Sequence, residues 1–288
     1  MFAGTGDQVK SSSRRAYIHE AIALGPISVG ALAHRFGVSE STIRRDLARM
    51  NTDGLLLRTY GGAASPIREQ GISEREQLNR TEKGAIAEVA ATYVADGQQI
   101  YLDSGSTCGA LAGLLSDRHG LTVVTSGISI VDRFATAEGV DTVLLGGTFR
   151  RLSMGTVGPH AEATMRRMQV EIAFLGADGI DPKRGLCEVS FEQSSLKDTV
   201  ISHASAVVVV VDSTKLGCVS TSRAWTPLEV PWTLITDSRA TPEQLRPYDA
   251  LDRCHVVVAG SQAGPADERA SLVNSLTEKA SADPRNRA

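Results

Sequence analysis

The sequence predicts an α/β protein in two parts: a small helical unit at the N-terminus and a larger domain built on a mostly parallel sheet. From Glu82 onward, helical segments alternate with short runs rich in β-branched residues, which is the pattern of a parallel sheet covered by helices on both faces. Aromatic residues make up 5% of the chain, a composition that suits this architecture better than a β-sandwich. Residues 1–65 carry eight basic and five acidic side chains, although the whole chain has a formal net charge of -3. The basic head is therefore the part expected to meet a polyanion.

The pattern divides the chain into four segments. Residues 14–65 are helical and then glycine-rich, whereas 66–81 are charged and polar, which is typical of a linker. Residues 82–260 carry the alternation of strands and helices. Residues 261–288 are polar and are expected to form a disordered tail.

Composition argues against membrane, secreted and metal-binding classes. The longest apolar run, Ala206–Val211, is far too short to span a bilayer, and the N-terminus lacks the apolar core of a signal peptide. We therefore expect a cytoplasmic protein with no membrane partner. The cysteines include no C-x-x-C pair, so no metal or cofactor is expected and the thiols are expected to be free and inert. They are Cys108, Cys187, Cys218 and Cys254.

The larger part contains seven predicted strands and five predicted helices. The strands are Gln99–Leu102, Leu121–Thr125, Thr142–Leu145, Ile172–Leu175, Ala206–Val211, Thr233–Thr236 and Val256–Ala259. The helices lie near 82–95, 107–117, 127–136, 159–169 and 191–204. The run Ala206–Val211 is apolar on both faces, which predicts a central strand.

Residues 27–50 have the spacing of a helix-turn-helix. Ser28 can cap a first helix, Gly37 can supply the left-handed residue that ends it, and Ser39 can cap a second helix. The second helix has apolar residues at i, i+4 and i+7, which must face the core. They are Ile43, Leu47 and Met50.

The other faces of the second helix are hydroxyl-rich and basic, as DNA recognition requires. Arginine is the commonest specific reader of guanine, and serine and threonine hydroxyls suit phosphates or bases. Residues 54–63 contain a short apolar run followed by two glycines, a pattern that predicts a wing. From this wing Arg58 would reach the DNA backbone or the minor groove. The alternative is a solvated helix face whose arginines pair with Glu40 or Asp46. The predicted DNA-binding residues are Ser39, Ser41, Thr42, Arg44, Arg45, Arg49 and Arg58.

Four glycine-containing or polar loops follow strands of the larger part, where open α/β sheets bind ligands. The first, Asp103–Thr107, opens a helix and offers N–H groups and hydroxyls to an anion. The others are 125–127, 146–151 and 176–179. Lys215 follows the central strand and could contact a phosphate, while pairing with Asp212 in the free protein.

These motifs resemble those of the DeoR family of bacterial regulators. The head resembles the family in VSESTIRRDLARMNTDGLLLRTYGGA, and the body resembles it in LDSGST, LTVVTS, VLLGGTFRR, VGPHAE, AFLGADGID and VVDSTK. The resemblance implies a small N-terminal winged helix-turn-helix joined to a larger mostly parallel α/β sensor domain, similar in fold to ribose-5-phosphate isomerase. It also implies operator DNA and a phosphorylated sugar or related metabolite as partners, no catalysis, and a homodimer or homotetramer.

By this resemblance, Asp103–Thr107 would hold the phosphate. The expected effector-binding residues are Asp103, Ser104, Gly105, Ser106, Thr107, Gly146, Gly147, Arg150, Asp178, Glu192, Lys197 and Lys215. The chain departs from the family in two places: LCEVSFEQSS stands after Gly185 where the family commonly has a threonine-rich segment followed by Asn and acids, and Cys108 stands where another threonine is frequent.

Two alternatives remain at this stage. The chain could be a sugar-phosphate isomerase with a DNA-binding head, in which Asp178 or Glu192 would be the base, although PKRGLCEV lacks the glycine cradle of such enzymes. It could also activate transcription rather than repress it, because the sign depends on the position of the operator.

Overall fold

The structure, a computed structural model, describes residues 14–15, 17–18, 27–52, 57–59, 62–64, 71–217 and 224–260. The chain divides into two units, residues 1–68 and 69–288. The side chain of Arg58, Cys218 and the predicted tail lie outside the described residues. Among the helices of the described residues, none is long and apolar enough to cross a membrane.

Unit 1 contains the predicted helix-turn-helix and hairpin. Its elements are β1 (Ile27–Ser28), α1 (Val29–Phe36), α2 (Glu40–Thr52), β2 (Leu57–Thr59) and β3 (Gly62–Ala64). The Ser28 side chain accepts a hydrogen bond from Ala31 N, and Gly37 ends α1 with φ 61°, a conformation that glycine adopts without strain. β2 and β3 pair antiparallel, in agreement with the predicted wing.

A small apolar core holds α1 and α2 together. The three residues predicted to face inwards from α2 are all buried, and they pack with Ile18, Val29 and Leu32. Val38 in the turn is half-buried against the same core. The periodicity of the sequence therefore gave the orientation of α2 correctly.

Unit 2 carries a seven-stranded sheet with helices, a small three-stranded sheet and a two-stranded hairpin. Its elements are α3 (Ile72–Gln77), α4 (Arg80–Ala91), β4 (Gln99–Leu102), α5 (Ser106–Leu114), β5 (Leu121–Thr125), α6 (Ile128–Arg133), β6 (Val140–Leu144), β7 (Thr148–Arg150), β8 (Gly155–Val157), α7 (Pro159–Met165), β9 (Val170–Leu175), β10 (Gly179–Asp181), β11 (Gly185–Glu188), α8 (Phe191–Ser202), β12 (Ala204–Val210), a 3-10 turn (Ser213–Lys215), β13 (Ala224–Thr226), β14 (Trp232–Asp237), α9 (Pro242–Asp249) and β15 (Cys254–Ala259).

The sheet is parallel throughout, in the order β15-β14-β12-β9-β4-β5-β6. β12 lies between β14 and β9 and is buried over Ala206–Val210, as its apolar run predicts. The chain places β5 and β6 on one side of β4 and places β9, β12, β14 and β15 on the other. The connections after β4 and β9 therefore leave in opposite directions, and the crevice between two such strands is where ligands bind in open α/β sheets.

The predicted linker differs from the structure in its second half. Residues 72–77 form α3, and α4 begins at Arg80 rather than at residue 82. Ile72 is buried, and its N–H donates to the carbonyl of Leu152, 2.9 Å away, within unit 2. The charged composition of this segment suggested a linker because α3 is short and has one buried apolar residue.

Candidate functional site

Unit 1 presents the residues predicted to bind DNA at its surface. Because the apolar side of α2 is buried, its other sides face solvent. Thr42 is half-buried. The exposed members of the set are Ser39, Ser41, Arg44, Arg45 and Arg49.

Three hydroxyl groups cluster at the start of α2. Ser39 Oγ accepts a hydrogen bond from Thr42 N at 3.2 Å, which confirms Ser39 as a cap. The same oxygen lies 2.8 Å from Ser41 Oγ and 2.9 Å from Thr42 Oγ1. Hydroxyls and free N–H groups at a helix N-terminus are well suited to phosphate oxygens.

The basic side chains of α2 differ in their partners. Arg44 pairs with Glu40 at 2.6 Å, and Asp46 is buried in a pair with Arg14 at 2.7 Å. Among the described residues, neither Arg45 nor Arg49 has an ion-pair partner. The alternative of a paired, solvated face therefore applies to Arg44, whereas Arg45 and Arg49 are open cations.

In unit 2, a pocket lies at the crevice between β4 and β9. The loop Asp103–Thr107, which follows β4, forms one wall, and Gly176 and Ala177, which follow β9, form another. Its empty space is about 360 Å³, a value that includes solvent at the mouth. The remaining lining residues are Arg75, Glu188, Gln193, Lys197 and Lys215.

One part of the pocket presents groups of the kinds that bind anions. α5 begins at Ser106, and none of the described side chains caps its first turn. The N–H groups of this turn and the hydroxyls of Ser106 and Thr107 are therefore available to a ligand, with the positive end of the helix dipole behind them. Lys215 adds an ammonium, which donates to the carbonyl of Ala177 at 2.6 Å.

The centre of the pocket is a buried ion cluster. Lys197 Nζ lies 3.0 Å from Asp103 Oδ2 and also contacts the carboxylate of Glu188 and the carbonyl of Gly176. Burial acts to lower the pKa of Lys197, but the carboxylates of Asp103 and Glu188 outweigh it and hold that pKa above its ordinary value. Burial raises the pKa of Glu188 to about 7, although Lys197 acts in the opposite direction. Two carboxylates therefore occupy this ammonium, which leaves Lys215 as the freer amine.

Two further lining residues have unused hydrogen-bonding capacity. Arg75 Nη1 donates to Asp178 Oδ1 at 2.9 Å, but Arg75 Nε is buried without a hydrogen-bond partner in the described part of the chain. Gln193 Oε1 is likewise buried and unpaired. Buried polar atoms are nearly always satisfied, so these two atoms are available to hydrogen-bond a ligand in the pocket.

The structure brings seven of the predicted effector residues into the pocket and leaves five outside its lining. Those inside are Asp103, Ser104, Gly105, Ser106, Thr107, Lys197 and Lys215. Asp178 lies behind the wall, where it accepts from Arg75 and from Val189 N. Glu192 is exposed and accepts from Ser190, a bond that lowers its carboxyl pKa. Five helical positions put Glu192 about 140° around α8 from Lys197, so the two cannot face one ligand.

The remaining three predicted residues lie in the connection from β6 to β7 and in β7 itself. Gly147 has φ 133°, and a Cβ there would lie 2.5 Å from the carbonyl oxygen of Val157, so a close approach of two strands explains this glycine. Gly146 precedes it, and Arg150 ends β7. The conformation of Gly147 is therefore required by the β7–β8 hairpin, whereas nothing near Gly146 in the described part of the chain requires a glycine.

The expected pairing of Lys215 with Asp212 is absent. Asp212 Oδ1 accepts from Asn79 Nδ2 and from Thr214 N, while the ammonium of Lys215 turns to Ala177. Asp212 caps the 3-10 turn that contains Lys215, and this geometry directs the two side chains apart.

Three residues that line the pocket were not indicated by the sequence pattern: Arg75, Glu188 and Gln193. Arg75 fell in the predicted linker. Glu188 lay in the stretch that departs from the family pattern, which was a signal that the site is altered there, but nothing local predicts its contact with Lys197. No group of three or more potential metal ligands occurs among the described His, Cys, Asp and Glu residues. Cys108 and Cys187 are buried thiols, and burial raises the pKa of Cys108 far above its ordinary value, which disfavours the reactive thiolate.

Comparison with protein families gives two matches along the chain. Residues 14–69 match the DeoR-like helix-turn-helix domain, and residues 78–238 match the DeoR C terminal sensor domain. Together they cover both units.

Several curated proteins and solved structures are similar to this chain. The transcriptional repressor AccR of Agrobacterium fabrum is 34% identical over 76% of this chain and 89% of its own length. The glycerol-3-phosphate regulon repressor of Escherichia coli is 30% identical over 67% of this chain and 77% of its own. Ribose 5-phosphate isomerase A from Methanocaldococcus jannaschii aligns with a TM-score of 0.36 and 22% identity over 48% of this chain and 54% of that chain.

Proposed function

This chain is a DNA-binding transcriptional repressor of the DeoR family, not an enzyme, and from that premise we propose that a small phosphorylated sugar or related metabolite binds its pocket and releases it from its operator. In this proposal, residues 14–65 read DNA, and the pocket of unit 2 senses the metabolite. The isomerase alternative fails, because family members regulate transcription. The pocket also offers no role to either suggested base: Asp178 is tied to Arg75 and Glu192 is exposed.

The observation that carries the proposal is the uncapped N-terminus of α5 facing a basic wall. Ser106 and Thr107 stand in the same pocket as Lys215 and Arg75. A phosphate is the common metabolite group that uses helix N–H groups, hydroxyls and cations together. For hydroxyl groups elsewhere on the ligand, the carboxylate of Glu188 offers acceptors, and the amide of Gln193 offers both an acceptor and a donor.

The repressed genes are proposed to serve sugar or carbohydrate catabolism, and the names of two relatives support this. One is the glycerol-3-phosphate regulon repressor, and another is the putative aga operon transcriptional repressor of Escherichia coli, which is 31% identical over 71% of this chain. A repressor of catabolic genes that is released by a phosphorylated intermediate induces them when the substrate is present. We place it in the cytoplasm as a homodimer or homotetramer, because helix-turn-helix proteins usually read two half-sites as dimers.

A thermal-shift screen of the full chain tests the proposal. The panel is ribose 5-phosphate, glucose 6-phosphate, glucosamine 6-phosphate and glycerol 3-phosphate, each beside its unphosphorylated parent. At 100 times its dissociation constant, a ligand stabilises the fold by about 2.7 kcal/mol. We expect a phosphorylated compound to raise the Tm, its parent to leave it unchanged, and the same compound to release promoter DNA in an electrophoretic shift. Equal stabilisation by a parent sugar would contradict the phosphate site.

A further inference from the structure

Arg75 connects the pocket to the first helix of unit 2. It lies on α3, and its side chain lines the pocket beside the loop Asp103–Thr107. The Arg75–Asp178 pair is largely buried, with side chains 16% and 18% exposed. Because Arg75 Nε is also buried and lacks a partner in the described residues, the guanidinium is only partly satisfied in the free protein.

α3 is held by contacts with several neighbouring elements, including an ion pair to α6. It has six residues, too few to be stable alone, so its position depends on its neighbours. Its N-terminal end is fixed by Ile72, and at its other end Lys83 Nζ donates to the carbonyls of Arg75 and Leu78. Between these two attachments, the bond from Arg75 to Asp178 ties α3 to the wall of the pocket.

A phosphate in the pocket competes with Asp178 for the same guanidinium. Arginine presents a planar fork that binds a carboxylate or a phosphate equally well in geometry, and a dianion attracts it more strongly than a carboxylate does. We propose that Arg75 leaves Asp178 for the phosphate of the effector, and that this exchange displaces α3. The inference rests on the proposed function, since it requires a phosphorylated ligand.

The exchange would supply the two states that regulation requires. In one state Arg75 bonds to Asp178, and in the other it bonds to the ligand, so the effector has a differential contact with the two conformations. Unit 1 ends at Arg68 and α3 begins at Ile72. A displacement of α3 therefore acts on the chain close to its connection with the DNA-binding unit.

Two variants that break the same ion pair test this proposal. The probe is inorganic phosphate, titrated into the full chain by calorimetry, with hydrogen exchange of residues 72–77 as the readout for α3. In the wild type, saturating phosphate should change the exchange of these amides. Arg75→Gln should bind phosphate at least tenfold more weakly and lose the exchange response. Asp178→Asn should bind it about threefold more tightly, and its residues 72–77 should exchange like those of the phosphate-bound wild type before phosphate is added.

Opposite effects distinguish the proposal from a purely structural ion pair. If both variants weaken phosphate binding alike, the pair only holds the fold and the proposal is wrong. If phosphate saturates the wild type without altering residues 72–77, Arg75 does not act on α3, yet the proposed function stands. If the wild type binds neither phosphate nor any phosphorylated compound of the thermal-shift panel, the proposed function itself fails. Arg75→Lys keeps the positive charge but lacks the planar guanidinium, so its affinity for phosphate should be intermediate. If circular dichroism shows that Arg75→Gln is unfolded, Arg75→Lys takes its place in the test.

Discussion

The ammonium of Lys197 lies 3.0 Å from the carboxylate of Asp103, although one residue is on α8 and the other follows β4. Both side chains are buried, and Asp103 also accepts from the N–H groups of Ser104 and Gly176. The pair therefore joins the loop after β4 to the loop after β9, which are the two walls of the crevice. Lys197 also contacts the carboxylate of Glu188. Its ammonium therefore connects α8, the loop after β4 and the end of β11.

Lys197→Met should be strongly destabilising. The variant leaves Asp103 and Glu188 buried without their cation, and breaking a buried ion pair in this way costs about 3–5 kcal/mol. Urea denaturation at pH 7.5 measures the decrease in the free energy of unfolding. The double variant Lys197→Met with Glu188→Gln removes one of the stranded charges and should recover about 1–2 kcal/mol. A double variant as unstable as the single one would mean that Glu188 is not charged in this cluster.

The pH dependence of stability should carry the signature of Glu188. Its carboxyl pKa is raised by burial from the ordinary 4.5 to about 7, so between these values the folded state holds the proton more tightly than the unfolded state. The contribution of Glu188 to the free energy of unfolding therefore decreases as the pH rises from about 4.5 to 7. Glu188→Gln cannot ionise, so over this window it should gain about 1–3 kcal/mol relative to the wild type. Glu192→Gln, at an exposed position on α8 four residues further along the chain, should leave the slope from pH 5 to 7 unchanged.

The seven central strands could be predicted because strands buried on both faces are continuous apolar runs. Each predicted strand is present, most of them one or two residues longer. The short strands β10, β11 and β13 were not predicted. β13 exists through pairing with the distant strand β11, such as Cys187 opposite Trp225, and β10 pairs with β11 in a local hairpin of only three residue pairs. α9 was missed because its sequence, PEQLRPYD, is polar and contains Pro247.

In the candidate site, too, local features could be predicted and contacts between separate elements could not. The loop Asp103–Thr107 was visible because its residue types and its place before a helix are local features. The contacts Arg75–Asp178 and Lys197–Glu188 depend on where separate elements meet, and the first joins residues 103 positions apart. Periodicity along one helix gives no information about such a partner.

Arg45 should contribute more to operator affinity than Arg44. Arg45 is exposed and unpaired among the described residues, whereas Arg44 bonds to Glu40 and must give up that contact to bind DNA. If Arg45 reads a guanine, Arg45→Ala should cost roughly 1–3 kcal/mol on the operator and little on random DNA. Electrophoretic shifts on both DNAs, with Arg44→Ala as the matched control, measure this. If Arg45→Ala weakens binding to operator and random DNA equally, Arg45 contacts a phosphate rather than a base.

A fixed negative charge at the start of α5 should block the response to the effector. Ser106 is buried at the first position of that helix, so Ser106→Glu places a carboxylate where the phosphate should bind. The variant should still bind its promoter but should no longer be released by the phosphorylated compound found in the screen. Ser202→Glu adds the same charge at the exposed end of α8 and should respond like the wild type. A normal response of Ser106→Glu would exclude this helix from the site.

Lys215 should supply the free ammonium that the phosphate requires. It follows the central strand β12 and donates to a backbone carbonyl rather than to an acid, so a phosphate gains its full charge without breaking an ion pair. Its charge already acts on its surroundings: burial lowers the pKa of Lys83 to about 8, and Lys215 contributes in the same direction.

Lys215→Met keeps most of the stem and deletes the charge, and two consequences should follow. Affinity for the phosphorylated compound should decrease at least tenfold, about 1.4 kcal/mol, because the anion loses a partner in a pocket where Lys197 is already neutralised. The pKa of Lys83 should rise towards its ordinary value, because a like charge has been removed while the burial remains. Calorimetry measures the first and NMR titration of the lysine side chains the second. Lys183→Met, at an exposed position outside the pocket, should change neither. A raised Lys83 pKa with unchanged affinity would show that the charge reaches α4 but not the ligand, and would move the phosphate site away from β12.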